Sequence, residues 1–164
     1  MRVLLVIILL IPAFGFSQTK QETIHWLTET FGKKDHFDGL FNSYTVLKIK
    51  DDGTFTKDVK DYSQTNNKLI VNHIFSGNFK NFGLNSVYSK EIKGITYIYA
   101  TCYNKSNCIK YKNYNPDGSL AMEREDNSVL LAIVEKMDDQ SLVERGKKAF
   151  NYLIKILGGK KEVF

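Results

Sequence analysis

The stretch YTVLKIKDDGTFTKDV, residues 44–59, constrains the fold more than any other part of the chain. Its apolar residues recur at every second position, and DDG interrupts them, so it reads as an antiparallel hairpin. A two-residue Asp52-Gly53 turn would pair Lys50 with Phe55 and Ile49 with Thr56, which mixes the faces. A three-residue loop, Asp51-Asp52-Gly53 with Gly53 left-handed, pairs Ile49 with Phe55 and puts Leu47 on the same face. A half-buried strand tolerates no one-residue slip, so the bulged loop is the expected register.

Further strands follow. KLIVNHIF alternates Leu69, Val71 and Phe75 against Ile70, Asn72 and Ile74, and NSVYSKEI is a weaker strand ending at Lys93-Gly94. ITYIYATCY and CIKYKNY are rich in β-branched and aromatic residues. NPDG at 115–118 is a turn, since Pro116 presets φ and Gly118 takes a positive φ. SLAMERE then returns as a more exposed strand. VLLAIVE, apolar on both faces, reads as a central strand covered on both sides.

Helices bracket these strands. Thr19 and Glu22 form a capping box, after which Ile24, Leu27 and Phe31 line one face and Gly32 offers a left-handed stop. Trp26 points away from that stripe, which suits packing under the loop KKDHFDGLF. Near the other end, Ser141 is the expected N-cap. Leu142, Gly146, Ala149, Phe150, Leu153, Ile156 and Leu157 form the stripe that must be buried. The fold class is therefore α+β: an antiparallel sheet or partly open barrel of about seven strands, with an N-terminal helix and a C-terminal amphipathic helix packed on it. The order of elements resembles that of the pleckstrin-homology-like barrel, and an open sheet with both helices on one face fits it equally.

The first residues address the chain. Arg2, the apolar run Val3–Ile11, Pro12 and the small residues Ala13, Gly15 and Ser17 have the layout of a secretory signal peptide. The apolar run is too short for the roughly 20 residues that cross a bilayer. Residues 1–17 are thus expected to be removed, leaving residues 18–164 as one exported domain, periplasmic or extracellular, with no transmembrane span. Cleavage removes Arg2 from a net charge of +5 and leaves +4, a mildly basic surface that selects no partner.

An oxidising destination bears on Cys102 and Cys108, the two cysteines of the chain. Their spacing is not CxxC, and His25, His36 and His73 lie far apart in sequence, so no metal or other cofactor is expected. If Cys102 faces Cys108 across a hairpin, Tyr99 pairs with Tyr111 and Thr101 with Ile109. A four-residue loop, Asn104–Asn107, would instead pair Cys102 with Ile109. Export favours the bridge, and Cys102–Cys108 is the expected disulfide, a clip across a hairpin worth roughly 2–3 kcal/mol.

Motifs for catalysis are absent from the sequence: no GxSxG, HExxH or phosphate-cradling glycine loop. Asp35, His36 and Asp38 cluster in KKDHFDG, but polar loops usually solvate such groups. Trp26, Lys110, Lys112 and Tyr114 are the candidate ligand-binding residues. The last three share a strand face that combines charge with an aromatic ring, suited to an anionic polysaccharide or lipid head group. Nucleic acid is not expected outside the cell. The chain therefore reads as an exported, non-catalytic binding or interaction protein of unknown ligand or protein partner. The alternative is a small secreted hydrolase whose residues converge only in three dimensions, with His36 or His73 against a carboxylate in a cleft. Intact-mass measurement of material exported by the native host should find a chain beginning at Gln18; retention of residues 1–17 would overturn the export reading.

Overall fold

A computed structural model describes residues 19–37, 41–135, 139 and 141–161, with Phe37 described by its backbone alone. The proposed leader, residues 1–17, lies outside these residues, as do Gln18 and Asp38. Two helices, α1 (Lys20–Phe31) and α2 (Ser141–Ile156), enclose nine strands. The strands are β1 (Lys33–Phe37), β2 (Phe41–Ile49), β3 (Thr54–Ser63), β4 (Leu69–Asn78), β5 (Phe82–Ile92), β6 (Ile95–Cys102), β7 (Ile109–Tyr114), β8 (Leu120–Asp126) and β9 (Ser128–Val134). Among the described residues the pairings between these strands are all antiparallel, and an isolated parallel bridge joins Gly83 to Lys160. They make two sheets, β1-β2-β3-β4-β7-β8 and β5-β6-β9, and not a closed barrel. Strand β1 occupies part of the segment expected to be loop.

Local expectations hold where neighbours in sequence decide. Ile49 pairs with Phe55, and Gly53 has φ +81°, as the bulged loop requires. Thr19 and Glu22 close the capping box. Gly32 differs: its backbone is right-handed (φ −72°, ψ −24°), and a β-carbon there would collide with the Thr28 carbonyl. The chain thus needs glycine for space, because it turns at once into β1, where the Gly32 carbonyl accepts from the Leu47 amide (2.8 Å).

The region between the cysteines departs most from expectation. The disulfide Cys102–Cys108 is present, but β6 and β7 do not pair. Thr101 pairs with Ser128 and Ile109 with Asp126, so β8 and β9 run past both strands and take their hydrogen bonds. The chain changes sheets at this corner, with Cys102 N–H donating to Asn127 O and Cys108 N–H to Asp126 O. The disulfide therefore ties one sheet to the other. Strand β9 pairs only with β6 and is an edge, although its side chains are largely buried.

Phenylalanines join the layers. Phe55 of the larger sheet packs on Phe79 and Phe82 at ring separations of 5.1 and 6.0 Å. Phe79 meets Phe150 of α2, which stacks on Phe31 of α1, each at 6.1 Å. Helix α2 buries Gly146, Ala149, Phe150, Leu153 and Ile154. Ile156, expected in that stripe, is 40% exposed. Successive residues are 100° apart, so Phe150, Leu153, Ile154 and Leu157 share a face that Ile156 leaves. Ser141 is the first helical residue, and its hydroxyl and amide both donate to Asp139. Phe150→Ala should lower the unfolding free energy by about 3–5 kcal/mol, and Ile156→Ala by less than about 1 kcal/mol, both read from denaturant midpoints.

Candidate functional site

The hairpin register that buries Leu47 and Phe55 and half-buries Ile49 also turns Ser43, Thr45, Lys57, Val59 and Asp61 to the same face. Strand β4 adds His73 and Phe75 opposite Val59 and Lys57. This face is apolar at the Phe55 end, where the second sheet and α2 cover it. Toward Asp61 it is polar, and there the sheets enclose a cleft of about 270 Å³. His36, Ser43, Thr45, Lys57, Asp61 and His73 line the cleft with Val59, Phe75, Tyr97, Leu130 and Ile133. His36 and Ser43 also border a wider depression of about 600 Å³, together with Tyr44, Tyr62 and Glu135.

One wall is a hydrogen-bonded chain. Ser43 Oγ donates to Asp61 Oδ1 (2.6 Å). His73 Nε2 lies 3.3 Å from Asp61 Oδ2, and its Nδ1 lies 2.7 Å from the Tyr111 hydroxyl. A carboxylate only accepts, so a neutral His73 carries its proton on Nε2 and accepts from the phenol. Burial raises the Tyr111 phenol above its ordinary value, which keeps that donor protonated. The Arg124 guanidinium lies over the Tyr111 ring, 4.5 Å from its centroid, and Phe75 packs at 4.9 Å. On the far side of the cleft, His36 Nδ1 is 3.2 Å from Glu135 Oε1.

Lys57 stands apart from this chain. It is 2% exposed, and its ammonium donates to Leu130 O of the opposite sheet at 2.9 Å. The acceptor sits at the β9 bulge, where the register with β6 shifts. Among the described residues no carboxylate lies within ion-pair distance of Lys57. Burial without a counter-ion disfavours the charged form and lowers the Lys57 pKa to about 7.

The histidines expected to lie far apart both line the cleft, and each faces a carboxylate. That arrangement is the one set out for a hydrolase, but Ser43 donates to the carboxylate and not to a histidine, so it is not a base-activated nucleophile. Among the described residues no group of three or more His, Cys, Asp or Glu could hold a metal, and no helix is long and apolar enough to cross a membrane.

Of the residues singled out from sequence, Lys110, Lys112 and Tyr114 share a strand face and Trp26 lies apart from them on α1. Trp26 is half-buried against α2, edge-on to Phe31 (5.7 Å) and under the Arg145 guanidinium (5.0 Å). It therefore packs between the helices and not under the loop. Lys110, Lys112 and Tyr114 are on the outward face of the six-stranded sheet. Lys110 sits opposite Glu125 and Lys112 opposite Glu123, the latter at 3.4 Å, so acidic neighbours offset the basic stripe. One sequence signal points to the cleft: the bulged hairpin register places Lys57 opposite Leu47. No protein-family model, curated protein or solved structure matches the chain.

An unfolded lysine binds its proton up to about pH 10.5 and the buried one only to about 7. Between these values the unfolded state holds more protons, so the Lys57 contribution becomes less destabilising as pH rises, and below 7 its full penalty applies. Each unit of depression is about 1.4 kcal/mol, set against loss of the Leu130 bond, about 1–3 kcal/mol. Lys57→Met should raise stability near pH 6 by about 1–3 kcal/mol, with the gain shrinking or reversing toward pH 10 in denaturant titrations.

Proposed function

We propose that the protein is an exported, non-catalytic binding protein that takes a small amphipathic molecule into the cleft between its two sheets. The observation that carries this reading is the cleft's composition: an apolar floor with a few convergent polar groups, the usual make-up of a small-molecule site. Its volume, about 270 Å³, suits a compound of one ring or a short chain. Ser43, Asp61, His73 and Tyr111 hold one another in place, so a ligand meets a wall that is already ordered and spends little entropy ordering it. The disulfide supports export, because such bonds persist in oxidising compartments.

A second reading, a small secreted hydrolase, draws on His36. Glu135 holds its Nδ1, and Nε2 has no partner among the described residues, which is the arrangement of a general base for water. Isotope-labelled protein titrated with p-cresol separates the two. Amide shifts centred on Val59, Phe75, Tyr97 and Leu130 are expected; no saturable shift there would overturn the cleft as a binding site. Repeated turnover of p-nitrophenyl acetate, lost in His36→Gln, would overturn the non-catalytic reading.

A further inference from the structure

A lysine whose ammonium meets one carbonyl is an incomplete arrangement for a buried cation. Lys57 presents three N–H donors; Leu130 O takes one, and the side chain borders the cleft. Its strand neighbours Leu47 and Phe75 are apolar, so a leucine or methionine would fill the position without the desolvation penalty. The hydrogen bond to Leu130 does not by itself offset that penalty, because a neutral carbonyl supplies no counter-charge.

We infer that Lys57 is the counter-ion for a small organic carboxylate whose apolar body lies against Val59, Phe75, Tyr97 and Leu130. The inference rests on the cleft being the binding site and names the ligand class. An oxyanion beside the ammonium would accept its remaining protons and supply the missing charge, a stronger contact than a neutral acceptor gives. Burial lowers the Lys57 pKa, and a carboxylate beside the amine would favour its charged form, so carboxylate binding should draw a proton onto the lysine. Other titratable groups face this space: Lys34 and His36 from β1, Asp61 from β3, His73 from β4 and Tyr97 from β6. Asp61 is held by Ser43 and His73 at the polar end, four residues along the strand from Lys57. A carboxylate seated at Lys57 with its body along the floor is thereby kept from the anionic end.

Benzoate and its neutral isostere benzamide are the probes. Near pH 6, wild-type protein should bind benzoate about tenfold or more tightly than benzamide, a difference of about 1.4 kcal/mol. Benzoate affinity should fall about tenfold or more between about pH 6 and pH 8.5, as protonated Lys57 is depleted. Calorimetry in buffers of different ionisation enthalpy should record proton uptake on benzoate binding near pH 7.5 or above. Lys57→Met, its fold checked by circular dichroism, should lose the preference for benzoate while keeping benzamide. Equal affinity of wild type for both probes, with no proton uptake, would overturn the carboxylate inference and leave the cleft reading standing. If neither probe shifts the cleft amides, the cleft reading itself fails. A pH-dependent preference that survives Lys57→Met but is lost in His36→Gln or His73→Gln would assign the anion to a histidine and overturn the role of Lys57.

Discussion

Stacked phenylalanine rings hold three layers together, and the other features of the molecule depend on them. Phe55, Phe79, Phe150 and Phe31 run from the larger sheet through a short 3₁₀ turn to α2 and then α1. Each is nearly or fully removed from solvent. Aromatic rings bring a large apolar area and favour offset or edge contacts at 4.5–7 Å, as general ring geometry dictates. Because the stack sits at one end of the larger sheet, that end is closed. Toward the other end the phenylalanine stack does not extend, and polar side chains share the space between the sheets with Phe75 and Tyr97.

The corner at the disulfide makes such a space possible. If β6 and β7 formed one hairpin, all strands could lie in a single sheet with one covered face. Instead the β8–β9 segment pairs with both, turning between Asp126 and Ser128. The two sheets then face each other across the floor that Tyr97, Leu130 and Ile133 share with Val59 and Phe75. Cys102 and Cys108 hold this corner at a Cα separation of 5.9 Å. Lys57 crosses the gap farther along, reaching the carbonyl of Leu130.

A buried lysine carries a stability cost at that crossing. As an ammonium it destabilises the apo fold, and as a neutral amine it is one more buried polar group. The neighbouring Ser43–Asp61–His73–Tyr111 chain has no such tension, since every member has a partner. The polar wall is thus internally satisfied, while Lys57 has one acceptor, Leu130 O, among the described residues.

What sequence alone determined is what short-range chemistry controls. The capping box at Thr19, the bulged loop at Gly53, the NPDG turn and the α+β class all depend on residues within one turn or one hairpin of each other. The two cysteines were matched correctly because they are few and close. The pairing of β6 with β9 and of β7 with β8 was not legible, because strand patterns state which face is apolar and not which strand lies alongside. Lys110, Lys112 and Tyr114 share a strand face, as alternation requires, but the acidic residues opposite them on β8 could not be read from β7 alone. His36 and His73 looked remote and line one cleft. Tertiary structure decided these matters because sheet partnership is settled by competition among distant segments for the same hydrogen bonds. No local pattern records the outcome of that competition.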